Sequence, residues 1–118
     1  MKGIIILAHG SRRNESDIIL ESLTRKVIEK TGVMLICLAF LQFSEQNLEK
    51  AVEELILKGA KQIVIVPMFI FDGVHVTQDI PNEVNELAEK HPGISITLTK
   101  HLGDDDRIAD IIADRIII

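Results

Sequence analysis

The chain has 118 residues, 47% of them hydrophobic, with a formal net charge of −5. That length fits one ordinary domain with enough apolar content for a core, and the acidic balance excludes the basic face that nucleic acid requires. Four phenylalanines and no tryptophan or tyrosine also leave little for stacking on single-stranded bases.

Residues 3–8 form an apolar run that reads as a buried strand and stops at His9-Gly10-Ser11-Arg12-Arg13. Ile18, Ile19, Leu23, Val27 and Ile28 have helical spacing and predict a helix over about 14–30, ended by Thr31-Gly32. A second strand is expected over 33–40, then a helix over 45–58 with Ser44 as its N-cap and Gly59 closing it. Residues 62–68 read as a third strand, followed by a loop from Phe69 to Val76 in which Asp72-Gly73 is a turn. The next helix spans about 77–91, with Asp79-Ile80-Pro81 resembling a helix start. Pro92-Gly93 leads into a fourth strand, 94–99, and the last helix starts near Asp104–Asp106, whose carboxylates suit a helix N-terminus.

The first three strands are nearly continuously apolar, which implies burial on both faces and hence a parallel sheet with helices on either side. The expected fold is therefore α/β, a three-layer α/β/α sandwich on a four-stranded parallel sheet with flavodoxin-like topology. No linker, low-complexity tract or repeat interrupts the pattern, so residues 1–118 are read as one domain. The lone Cys37 lies in the apolar run 33–40 and reads as a buried free thiol; with no disulfide possible within the chain and no leader or spanning segment, a soluble, cytoplasmic protein is expected.

Such folds bind ligands outside the carboxyl ends of their strands. The residues there are His9, Gly10, Ser11 and Arg12 after the first strand, and Leu41, Gln42 and Phe43 after the second. Phe69, Asp72, Gly73 and His75 follow the third, and His101 follows the fourth. His9 and His75 are expected at one sheet edge on adjacent strands, where two neutral imidazoles can hold a transition metal. Either one alone reads more often as a structural or merely exposed histidine. Gly10-Ser11 can form an anion nest before a helix, although neither the Walker nor the dinucleotide glycine pattern is present. Ser11 lacks the GxSxG elbow of a nucleophile. Arg12 and Arg13 are either carboxylate clamps or solvated loop charges. Asp104–Asp106 read as helix capping, and His91 as a helix-end surface residue.

The stretches HGSR, AFLQFSEQNLEKAVEEL, VPMFIFDGVHVTQDIP and LGDDDRIADII together resemble the CbiX/sirohydrochlorin cobaltochelatase family, over essentially the whole chain and in its short, single-domain, archaeal-type form. The resemblance implies an ATP-independent, class II chelatase that inserts a divalent metal, Co²⁺ first, into sirohydrochlorin for cobalamin biosynthesis. Nickel or iron insertion into the same tetrapyrrole, for coenzyme F430 or siroheme, is the alternative, and a non-catalytic metal or tetrapyrrole carrier is a further one. The resemblance implies that His9 and His75 are the metal-holding, catalytic pair, that the protein is a homodimer with its site between subunits, and that no organic cofactor takes part. Ring and carboxylate contacts are expected from Gly10, Ser11, Arg12, Leu41, Phe43, Met68, Phe69, Phe71, Gly73 and Val74. The family glutamate that follows the second strand is replaced here by Gln42, a poorer metal ligand that cannot act as a base, with Glu45 as a possible substitute if the helix starts late.

Overall fold

Strands and helices alternate along the whole chain in a computed structural model that describes residues 1–10, 14–42, 44–71, 73 and 78–117. The elements are β1 (Lys2–Ala8), α1 (Asn14–Thr31), β2 (Leu35–Phe40), α2 (Leu48–Leu57), β3 (Gln62–Pro67), α3 (Ile80–Lys90), β4 (Ser95–Leu98) and α4 (Asp106–Ile116). The four strands form one sheet in the order β2-β1-β3-β4, and every neighbouring pair is parallel. β1 lies inside the sheet, with Ile5 opposite Cys37 of β2 on one side and Ile65 of β3 on the other. Its run of isoleucines suits a pleated, doubly flanked surface, where β-branched side chains pack well.

The core lies on the side of the sheet that α2 and α3 cover. Ile5, Leu7, Ile63 and Ile65 pack there with Val52, Leu55 and Leu87, all buried. Burial on both faces holds for the end of β1, where Ile5 through Ala8 are all buried. It does not hold for the neighbouring strands. β3 alternates between buried and half-buried residues after an exposed Gln62, and in β2 only Ala39 is buried. The physical reason is that α1 leaves a groove of 240 Å³ on the opposite face, lined by Ile6, Leu20, Leu23, Val27, Val66 and Leu102 among others, while α4 contributes no buried residue.

The element boundaries shift where two polar side chains could each act as the cap. The N-cap of α2 is Asn47, whose side chain accepts from the Lys50 amide at 2.9 Å; Ser44 instead accepts from Gln46 N at 3.1 Å in the preceding turn. The helix therefore starts at Leu48, three residues later than a Ser44 cap would place it. α3 begins at Ile80 with Pro81 in its first turn, after Gln78 and Asp79 are wound in a wider π turn. Asp105 caps α4 as its carboxylate predicts, accepting from Arg107 N at 2.9 Å. The hydrogen bonds from Arg107 hold the Asp105 carboxyl well below the usual carboxylate range. His91 is a correction: it is half-buried, with a buried ring Nε2, and its amide closes α3 on Leu87 O at 3.1 Å. No helix among the described residues is long and apolar enough to cross a membrane.

Cys37 is half-buried, and burial, followed by the nearby Glu54, pushes its thiol up to about 11. Since the thiolate is the nucleophile, alkylation by iodoacetamide at pH 8 is expected to be at least ~100-fold slower than for an ordinary exposed cysteine. Mass-resolved labelling of the folded protein measures this, and labelling at the free-thiol rate would contradict it.

Candidate active site

The strand ladder continues past the end of β1. Leu41 N donates to Ala8 O at 3.0 Å, and Gln42 N donates to His9 O at 3.0 Å. On the other side Met68 N donates to Leu7 O at 2.8 Å. These bonds fix the backbone of His9 between the exits of β2 and β3. Gly10 follows with φ 94°, in the left-handed region. A side chain there would collide with the carbonyl oxygen of Gln42, so only glycine lets the two loops approach this closely.

The His9 imidazole lies over the Phe69 ring, with centroids 4.2 Å apart and planes tilted by 41°. Phe69 is only 3% exposed. Its carbonyl accepts from Leu102 N at 2.9 Å and Gly103 N at 3.3 Å, which tie the exit of β4 beneath it. An exposed imidazole thus rests on a buried aromatic floor. The position has a topological cause. The chain leaves β1 toward β2 and leaves β3 toward β4, so the crossovers diverge between β1 and β3. That divergence opens the crevice in which open α/β sheets bind ligands.

His9 borders two clefts. One, of 250 Å³, is lined by His9, Leu41, Gln42, Asp79, Ile80 and Glu83. The other, of 310 Å³, lies toward α1 and is lined mainly by Ile19, Leu20, Phe40 and Met68 beside His9. Asp79 and Glu83 escaped the sequence reading, which took Asp79 only as a helix start. A signal was present: His75, Asp79 and Glu83 recur every four residues, the interval of one helix face. Burial raises the Glu83 carboxyl above its ordinary value, with Glu86 and then Glu49 adding like charge. A raised acid favours the protonated fold, so the ionised group costs stability above its ordinary range and nothing once pH falls below it. Glu83→Gln is therefore expected to raise the melting temperature at pH 7 by about 1–4 °C, with the gain vanishing below pH ~4. A gain that grows on acidification would contradict this origin.

Of the other expected site residues, Gly10, Leu41 and Gln42 lie beside His9, Leu41 and Gln42 in its polar cleft. Phe71 is exposed at 84% and Gly73 is also exposed. Phe69 is core, 3% exposed, and its ring lies against His9, while its carbonyl accepts from Leu102 and Gly103. α2 does start late, yet Glu45 is exposed and lines neither cleft around His9. His101 borders a separate cleft with Lys100, Leu102 and Gly103. Ser11, Arg12, Arg13, Phe43, Asp72, Val74 and His75 lie outside the described residues. Among the described residues, no three histidine, cysteine, aspartate or glutamate side chains meet as a metal-binding group.

A family model described as CbiX matches residues 3–117. The chain is 38% identical over 114 residues to the chloroplastic sirohydrochlorin ferrochelatase of Arabidopsis thaliana, covering 97% of this chain and 51% of that one. It is 30% identical over 139 residues to the sirohydrochlorin cobaltochelatase of Methanocaldococcus jannaschii, covering 98% and 97% respectively. The crystal structure of a CbiX protein from Marinobacter aquaeolei VT8 superposes with a TM-score of 0.82 at 28% identity, covering 98% of this chain and 92% of that one. The chain thus spans about half the length of the plant relative (51%) and nearly all of the methanogen one (97%).

Proposed function

The chain belongs to the CbiX family, and we propose that residues 1–118 act as one chelatase domain that inserts a divalent metal into sirohydrochlorin without ATP. The observation that carries this reading is the His9 imidazole, held over Phe69 at the β1/β3 divergence in a cleft shared with Gln42, Asp79 and Glu83. Co²⁺ is the proposed metal substrate and cobalamin biosynthesis the proposed destination, because relatives of matching length are named cobaltochelatases.

Insertion asks for two things: the metal must shed water, and the macrocycle must lose its pyrrole N–H protons. His9, with His75 as its proposed partner, offers ring-nitrogen lone pairs, each able to hold the metal or, when not bound to it, to take a pyrrole proton. Asp79 and Glu83 add negative charge to the same cleft, which lowers the cost of bringing in a dication. Gln42 offers only a neutral amide oxygen and takes no proton. Gly10, Ser11 and Arg12 are proposed for the ring carboxylates, and Leu41, Phe43, Phe71, Gly73 and Val74 for the apolar ring. No organic cofactor is required by this chemistry.

The clefts beside His9 measure 250 and 310 Å³ and are shallow relative to a tetrapyrrole with its many carboxylates. A second copy of the chain is proposed to supply the facing wall, in a cytoplasmic homodimer. The test is anaerobic incubation with sirohydrochlorin and Co²⁺, Ni²⁺ or Fe²⁺ side by side, followed by absorbance. Insertion above the spontaneous rate, fastest with Co²⁺, is expected, and Gln42→Glu should raise it roughly 10-fold by adding a base. Binding of the ring without any rate above the spontaneous one would overturn the chelatase reading in favour of a carrier.

A further inference from the structure

Among the described residues, His9, Asp79 and Glu83 are the titratable groups that line the polar cleft, and Gln42 lines it with an amide that takes no proton. Metal insertion nevertheless has two protons to place. Two pyrrole N–H bonds break, the freed nitrogen lone pairs bind the dication, and two protons leave, so charge balances without a redox step. An imidazole nitrogen that holds the metal has no lone pair left for either proton. The cleft therefore needs a base besides the groups that hold the metal.

We propose that Glu83 is that base: its carboxylate takes the pyrrole protons inside the His9 cleft, directly or through water, and passes them to solvent on the outer side of α3. The helix sets its position. Ile80, Val84 and Leu87 bury one face of α3 in the core, and Glu83, half-buried, stands at the border of that face. Asp79, one turn earlier, is exposed. A second cleft, of 500 Å³, is lined by Glu49 of α2 and by Glu86 and Lys90 of α3. Asp79 and Glu83 line both clefts. A carboxylate at their shared wall can collect a proton on the His9 side and release it on the other, then return for the second.

The surroundings keep the proton affinity of Glu83 high. Among the described residues, Lys90 is the cation that lines the outer cleft, and it is held by Glu49 at 2.6 Å and Glu53 at 3.8 Å. No described side chain donates a hydrogen bond to Glu83. Burial acts on it first, then the like charges of Glu86 and Glu49, and each favours the protonated form. A carboxylate of raised proton affinity is a better base at neutral pH than an ordinary one. Exposed Asp79 lacks that burial, which singles out Glu83 of the pair. This role rests on the chelatase reading above and names the base within it.

The test is steady-state insertion of Co²⁺ into sirohydrochlorin, under anaerobic conditions, by the full chain as wild type, Glu83→Gln, Gln42→Glu and the double variant. Glu83→Gln is expected to lower kcat by at least ~10-fold while KM for Co²⁺ changes by less than ~3-fold. The same substitution is expected to raise the melting temperature, so the lost rate cannot come from lost fold. Gln42→Glu places another carboxylate in the cleft, and in that background Glu83→Gln is expected to cost less than ~3-fold. A wild-type kcat in Glu83→Gln, a raised KM with kcat unchanged, or a ~10-fold loss that persists beside Gln42→Glu overturns the role of Glu83. Each of these leaves the chelatase reading standing if the wild type inserts faster than the spontaneous reaction; a wild type no faster than that removes both.

Discussion

Gly10→Ala is expected to destabilise the fold by about 3 kcal/mol and to lower metal insertion by ~100-fold or more. Two costs add at this position. The left-handed φ of 94° is unfavourable for any residue with a Cβ, by roughly 1–2 kcal/mol. The new methyl also meets the Gln42 carbonyl oxygen and has to push the loop after β2 aside, a further ~1–3 kcal/mol of the kind that overpacking incurs. The same movement strains the hydrogen bond from Gln42 N to His9 O, which sets where the imidazole stands. A displacement of about 1 Å at a reacting group is enough for a ~100-fold loss. Gly32 and Gly59 provide the comparison. Both have positive φ, at 73° and 101°, but an added Cβ meets nothing at either. Alanine there should cost only ~1 kcal/mol and leave insertion unchanged. Urea melts and insertion rates on the three variants separate strain from collision; a Gly10→Ala protein as stable and active as the other two would contradict the close approach.

His9→Ala should behave in the opposite way. The imidazole is exposed and Phe69 stays in the core without it, so the stability change is expected to stay near the ~0.5–1.5 kcal/mol of a ring contact. The insertion rate, by contrast, should fall by at least ~100-fold, because the group proposed to hold the metal and accept a proton is gone. Thermal melts and the insertion assay, run on the same preparation, give the two numbers. Loss of rate in step with loss of fold would make His9 a structural residue.

Much of the fold follows from local rules that single residues obey. The isoleucines of β1, the Pro81 start of α3 and the Asp105 cap of α4 each stand where their chemistry places them. Asn47 was missed because Ser44 offers the same capping group three residues earlier, and only the path of the turn selects between them. The half-open sheet face was invisible for another reason. An apolar strand reads the same whether its second face is covered by its own helices or left for a partner, and the apolar spacing of α1 and α4 does not say which groove each fills. At the site, the strand-end residues His9, Leu41 and Gln42 do come together, since their positions depend only on where strands stop. Asp79 and Glu83 join them through the path of α3, which no strand boundary reveals.

The most direct test of the proposed chemistry is a double-mutant cycle on the two histidines, with sirohydrochlorin and Co²⁺ under anaerobic conditions. If His9 and His75 hold one metal ion, each single alanine variant should lose at least ~100-fold in insertion rate, and the double variant should be no slower than the slower single. Losses that multiply in the double variant, or wild-type rates in either single, would contradict a shared metal-holding pair.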